Sequence, residues 1–222
     1  MNNIAIETIK NDNRFDLYYQ VLVRENSKYN LTAIVDKKEV YYKHFLDCAL
    51  VLNYIDLSNK SVCDVGSGAG FPGIVLKLLC PSIKLIIIEP IAKRCNFLKM
   101  LVRELKLEDV NIINGRAEEQ IELREKFDYV FARAVSNLPM LIEICVPLVK
   151  VDGFFAPLKG SNYNIEVNES TNALHELDSN IENVYEYKLD QYGERSIILI
   201  RKNKKTNSKY PRAYSKIKNS TL

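Results

Sequence analysis

Apolar positions in the first 55 residues recur at helical spacing. Phe15, Tyr18, Tyr19, Leu22 and Val23 fall on one face of a helix. Asp36 followed by Glu39 is a capping-box signal, and it predicts a second helix running to about Tyr54. KYNLTAI, residues 28–34, reads as the loop between them. From residue 61 the pattern changes to short, almost unbroken apolar runs alternating with helical segments. The predicted strands are 61–65, 84–89, 110–114, 127–133 and 153–160. Helices are predicted at 73–80, 93–105, 117–126 and 138–149. Such alternation builds βαβ units, hence a parallel sheet covered on both faces. The end differs: VYEYKL (184–189) and RSIILIRK (195–202) are separated only by DQYGE, which predicts an antiparallel hairpin. The expected fold is α/β and doubly wound. A helical extension (1–57) packs on a mainly parallel domain (58–202), and a basic tail (203–222) follows.

Length and composition fit a single soluble globular domain, with 222 residues, 47% hydrophobic and 27% charged. No signal peptide or membrane-length apolar run is legible, so a cytoplasmic location is expected. The five cysteines (48, 63, 80, 95 and 145) lie in apolar segments at irregular spacing, and read as reduced buried thiols rather than disulfides or metal ligands. The net charge of +3 hides an asymmetry. Residues 201–222 carry eight Lys or Arg and no acid, and subtracting eight from +3 leaves the rest at −5. A basic strip on an acidic body suits a polyanionic partner.

Chemistry concentrates in DVGSGAGFPG, residues 64–73, where four glycines fall in eight positions after the first strand. Ligands of doubly wound sheets bind at this first turn. Glycine there permits positive φ and removes the Cβ that would block a ligand. Gly68-x-Gly70-x-x-Gly73 matches the dinucleotide fingerprint. Asp64-x-Gly66-x-Gly68-x-Gly70 matches the acidic loop of S-adenosylmethionine methyltransferases. Register favours the second match. Gly66 already occupies the turn position, an acid at the strand end opposes a pyrophosphate, and Pro72 lacks an N–H for phosphate. Glu89 ends the second strand, where an acid accepts from ribose hydroxyls of either cofactor.

YNLTAI (29–34), KHFLDC (43–48), DVGSGAGFPGI (64–74), KRCNFL (93–98), FARA (131–134), LKG (158–160) and KYPR (209–212) occur in order. Together they resemble the glucose-inhibited division protein B family of bacterial 16S ribosomal RNA guanine-N7 methyltransferases, over about residues 25–213. The resemblance implies a Rossmann-like methyltransferase sheet, S-adenosylmethionine as cofactor, and small-subunit ribosomal RNA as partner. It implies cofactor contacts at Gly66, Phe71, Ala117, Glu118 and Arg133, which join Gly68 and Glu89 from the loop reading. Arg133, ending the fourth strand, is also a candidate for a substrate phosphate or guanine O6. Glu89-Pro90 and Phe71 depart from the family's usual Asp-Ser and Leu. N7 of neutral guanine carries no proton, so no catalytic acid or base is assigned. The residues alone leave open a nicotinamide oxidoreductase, a small-molecule methyltransferase and a non-catalytic RNA binder. His44 is a packed histidine or an RNA contact, and His175 lies on a polar helix. Lys93, Arg94, Lys99, Arg103, Lys159 and the tail are the candidate phosphate contacts. Neither a protein partner nor a membrane is implied.

Overall fold

A computed structural model describes residues 4–222. Seven strands form one sheet: β1 (Ser61–Val65), β2 (Lys84–Glu89), β3 (Val110–Asn114), β4 (Phe127–Arg133), β5 (Val149–Gly160), β6 (Ser179–Lys188) and β7 (Glu194–Lys202). Their order is β3-β2-β1-β4-β5-β7-β6. The β1–β5 strands are mutually parallel, and β7 inserts antiparallel between β5 and β6. The predicted hairpin is present, with β6 beginning five residues earlier than the apolar run suggested, at Ser179.

Alternate side chains of each central strand enter two separate cores. Val62, Leu85, Ile87, Phe131, Ala156 and Ile197 belong to one. Cys63, Val65, Ile88, Val130, Phe155 and Ile198 belong to the other. Both faces are therefore buried, which is why these strands read as unbroken apolar runs.

The first core takes α1 (Ile6–Lys10), α2 (Asn13–Tyr29) and a helical stretch over residues 37–53. That stretch starts as α3 (Lys37–Val40), widens to a π-turn (Tyr41–Leu46), and continues as α4 (Asp47–Ala49) and a 3-10 turn (Leu50–Asn53). Half of the predicted capping box is present: Asp36 Oδ1 accepts the Glu39 N–H at 2.9 Å, whereas Glu39 Oε1 accepts from Lys43 Nζ at 2.6 Å. This core also takes α5 (Gly73–Leu79) and α6 (Ala92–Glu104). The second core lies under α7 (Leu138–Cys145), α9 (Thr171–Glu176) and α10 (Tyr214–Asn219), with α8 (Tyr163–Glu169) at its margin. All five cysteines are free, and four of them are buried. Among the described residues no helix is long and apolar enough to cross a membrane.

Two expectations change. Residues 117–126 form two 3-10 turns (Ala117–Glu119 and Ile121–Leu123), not a helix. The cause is tertiary. Arg124 donates to the carbonyls of Tyr210 and Thr206, and Glu125 accepts from Lys202 Nζ and the Thr206 N–H. These residues anchor the tail instead of extending a helix. The tail, for its part, packs on the protein rather than lying free. Five of the eight cations in 201–222 pair internally: Arg201 with Asp152, Lys202 with Glu125, Lys204 with Asp178, Lys209 with Glu176 and Arg212 with Glu143.

The last pair is the strongest. Arg212 donates Nε to Oε1 (2.7 Å) and Nη2 to Oε2 (2.6 Å) of Glu143, a fully buried carboxylate on α7. Breaking such a pair leaves an uncompensated buried charge, at a cost of about 3 kcal/mol or more. Arg212→Ala is expected to lower the unfolding free energy by that amount in urea titration. A loss below ~1 kcal/mol would mean an ordinary surface ion pair.

Candidate active site

β1 delivers Asp64 to the carboxyl edge of the sheet with no exposed surface. Its Oδ2 accepts the Ser67 hydroxyl at 2.5 Å and the Gly73 N–H at 2.8 Å, so the loop closes on this oxygen. The Gly66 N–H donates to Ile88 O (2.8 Å), which ties the loop to β2. The Gly68 N–H donates to Glu89 Oε2 (2.9 Å), and Glu89 Oε1 accepts the Ile91 N–H (3.0 Å). Glu89 is thus fixed, almost fully buried, at the end of β2.

The four glycines have different reasons to be glycine. Gly66, Gly68 and Gly70 have φ of +72°, +58° and +103°, a region L side chains rarely adopt. A Cβ at Gly66 would lie 2.6 Å from Val135 Cγ2, one at Gly70 2.5 Å from the Tyr18 hydroxyl, and one at Gly73 2.7 Å from Asp64 Oδ2. A Cβ at Gly68 would meet nothing within 4 Å. Three glycines therefore serve the protein's own packing, and Gly68 faces open space where a ligand can approach.

The donors at this turn do not suit a pyrophosphate. Pro72 has no N–H, and the Gly73 N–H is taken by Asp64. The acceptors suit a cation. Asp64 Oδ1 is buried without a hydrogen-bond partner, and burial, with the Glu89 charge adding to it, raises the carboxyl to about 6. An unpaired buried carboxylate oxygen in this loop fits the ammonium end of S-adenosylmethionine, directly or through water. Ala117 and Glu118 follow β3 on the first 3-10 turn; Ala117 is buried, and Glu118 Oε1 is a second buried oxygen without a hydrogen bond.

Phe71 and Arg133 are placed differently from a simple ligand contact. Phe71 is buried in an aromatic stack, 4.6 Å from the His44 ring and 5.6 Å from Tyr18 between centroids. The Tyr18 hydroxyl donates to Ala69 O at 2.6 Å. The N-terminal helices thus hold the outer wall of the loop. The Arg133 guanidinium lies over Phe71, 5.6 Å from its centroid, and its donors turn inward. Nε pairs with Asp47 Oδ2 at 3.2 Å, Nη2 donates to Lys43 O at 2.7 Å, and Nη1 reaches Cys48 Sγ at 3.1 Å. Its donors thus clamp the π-turn and the start of α4, and 17% of the side chain is exposed. Burial and the Arg133 charge lower His44 to about 3, so the ring stays neutral. Its Nδ1 accepts from Arg133 Nη2 (3.0 Å), which leaves Nε2–H to donate to Thr32 Oγ1 (3.0 Å). His44 is accordingly a packed, satisfied histidine. His175, on α9, lies outside this cluster.

Asp47 and Tyr187 were not singled out from the sequence, and Tyr18 was read only as a position on a helix face. Tyr187, on β6, donates its hydroxyl to Asp47 Oδ1 at 2.9 Å. The available signal for Asp47 was a lone acid inside the apolar run FLDCALVL.

Gly68→Ala is expected to weaken S-adenosylmethionine binding by about tenfold or more, while the positive φ costs only about 1 kcal/mol of stability. Gly70→Ala, meeting Tyr18 and Ile74, is expected to do the reverse and lose stability first. Calorimetric binding and urea titration separate the two; equal affinity in Gly68→Ala and the parent would remove Gly68 from the ligand path.

Comparison with known proteins agrees with this geometry. The family model described as rRNA small subunit methyltransferase G (GidB) matches residues 11–198. Ribosomal RNA small subunit methyltransferase G of Mycoplasma capricolum subsp. capricolum is 44% identical over 205 residues, covering 92% of this chain and 89% of that protein. Its namesake from Bacillus cytotoxicus is 45% identical over 204 residues, covering 90% and 85%. Among solved structures, M. jannaschii TYW2 in complex with AdoMet superposes with TM-score 0.57 at 16% identity, over 70% of this chain and 73% of that one. The mitomycin 7-O-methyltransferase MmcR gives 0.61 at 15%, over 88% and 66%. The structural likenesses show a shared fold, and the sequence matches over nine-tenths of the chain show more: this protein belongs to the GidB family of small-subunit ribosomal RNA methyltransferases.

Proposed function

We propose that the protein transfers a methyl group from S-adenosylmethionine to N7 of a guanine in 16S ribosomal RNA of the small subunit. The observation that carries this reading is the pairing of Gly68, which faces open space, with the orphan oxygen of Asp64 inside a GidB-family chain. When bound, S-adenosylmethionine supplies a sulfonium-activated methyl. Asp64 and the open Gly68 edge receive the amino-acid end, Glu89 the ribose, and Ala117 with Glu118 the adenine.

The titratable groups around the loop support the absence of an acid or base. His44 is held neutral, and burial pushes the Cys48 thiol up to about 12. The Tyr187 hydroxyl is raised by burial and by the Asp47 charge. None of these three is poised to move a proton near neutrality; Asp64, raised to about 6, is fully buried with Oδ2 held by Ser67 and Gly73, and N7 has no proton to give up. The protein's work is then alignment and exclusion of water. Phe71, Tyr18 and the Arg133–Asp47 clamp hold the loop so that it need not reorganise. Exposed Lys93, Lys99 and Arg103 on α6 remain available for RNA phosphates.

Transfer of labelled methyl to unmodified small-subunit RNA tests the reading; binding of NADH in place of S-adenosylmethionine would sink it. A pH titration tests the role of Asp64. Its raised pKa means that protonation below about 6 removes the charge that attracts the ammonium. Cofactor affinity is expected to rise with pH between 5 and 7 with a midpoint near 6, and this rise is expected to vanish in Asp64→Asn. A flat profile in the parent protein would place the ammonium elsewhere.

A further inference from the structure

A cavity of about 280 Å³ opens beyond the carboxyl end of β5, apart from the glycine loop. Gly160, Tyr163, Glu186, Tyr187, Lys188 and Arg195 line it. Three strands meet there on one rung: Gly160 faces Arg195 across β5 and β7, and Arg195 faces Tyr187 across β7 and β6. Gly160 leaves its place on that rung without a side chain. A Cβ built on it meets nothing within 4 Å, and its φ lies outside the left-handed region. Neither backbone nor packing requires glycine here; what the missing side chain leaves is room.

The cavity shares its walls with the supports of the cofactor loop. Lys159, the residue before Gly160, donates Nζ to Ser136 O at 2.8 Å and to Glu166 Oε2 at 2.7 Å. Ser136 adjoins Val135, the residue in contact with the Gly66 turn. On the other side, the Tyr187 hydroxyl donates to Asp47, the partner of Arg133 at the end of β4. Anything seated in the cavity therefore lies along the same sheet edge as the loop.

The lining has the chemistry of a nucleotide. Half-buried Tyr163 and Tyr187 offer π faces for a base. Exposed Lys188 offers a cation for its phosphate, and Arg195, with Nε 3.8 Å from Asp47 Oδ1 and Nη1 donating to Glu194 O, adds positive charge beside it. The Tyr163 hydroxyl donates to Glu186 Oε1 at 2.7 Å, which fixes this carboxylate at the cavity. A carboxylate accepts but cannot donate, so it matches the N1–H and N2–H₂ donors on the Watson–Crick edge of guanine; adenine presents an acceptor at N1. Holding that edge leaves N7, on the opposite side of the base, turned outward. The volume lies just below the ~300–1,000 Å³ of typical small-molecule clefts, the size for one nucleotide rather than a helix.

The geometry points to this cavity as the seat of the target nucleotide, a guanosine monophosphate unit of unpaired or splayed RNA, with Glu186 selecting guanine. The assignment rests on the methyl transfer proposed above. Gly160→Val narrows the cavity from a position where a Cβ meets no protein atom within 4 Å. It is expected to lower kcat/KM for small-subunit RNA ~10-fold or more, the loss of one stacked base, with unchanged S-adenosylmethionine affinity and thermal midpoint. Glu186→Gln, at an exposed position, is expected to lower kcat/KM for RNA about 10-fold, again without change toward the cofactor. Wild-type efficiency toward RNA in both variants would overturn the assignment while leaving the methyltransferase reading intact. Should Gly160→Val fail to fold, Glu186→Gln alone decides in the same way. Absence of any methyl transfer to RNA by the parent protein would instead refute the reading itself, and the cavity assignment would fall with it.

Discussion

Asp64 has no exposed surface, and one of its oxygens takes both the Ser67 hydroxyl and the Gly73 N–H. Those two bonds set the path of the loop from β1 into α5. They also consume the helix-start donor that a phosphate would need, and leave the second carboxylate oxygen buried and unpartnered. A buried carboxylate with one empty side costs stability unless a proton or a cation completes it. The upward shift of this group toward 6 expresses that cost. The same carboxylate that shapes the loop through Oδ2 therefore biases it against pyrophosphates and, through Oδ1, toward a cationic ligand, before any other residue is considered.

Around this acid the fold works by borrowing. Tyr18 comes from α2, His44 and Asp47 from the helical stretch after it, Arg133 from β4 and Tyr187 from β6. The Arg133–Asp47 pair, closed by Tyr187, draws the N-terminal helices and the last strands toward Phe71. Such a network is costly to leave half made, because each buried charge relies on the others. It explains why an arginine at a strand end beside the reaction centre spends its donors inside the protein. Lys93, Lys99 and Arg103 of α6, by contrast, are left exposed.

What was legible in the sequence was what depends on neighbours along the chain. The central strands announce themselves because both of their faces are buried, and Asp36 announces its helix because a cap acts three residues away. The register of the glycine loop is equally local, so its preference for a sulfonium over a pyrophosphate could be read directly. Residues 117–126 carry a helical composition, yet Arg124 and Glu125 find partners in the tail that no local pattern contains. The tail, in turn, looks like a free basic strip because Glu143, Glu176, Asp178, Glu125 and Asp152 are distant in sequence. Phe71 and Arg133 stand out in the sequence, but the contacts they make depend on Asp47 and Tyr187, which only the folded chain brings together.

On the function proposed above, this sheet edge aligns a guanine N7 with an activated methyl group. Mass mapping of unmodified small-subunit ribosomal RNA, after incubation with the protein and S-adenosylmethionine, tests it most directly. The account predicts a single new 7-methylguanosine, absent without the protein. A methyl group on another atom or another base, or none at all, would contradict it.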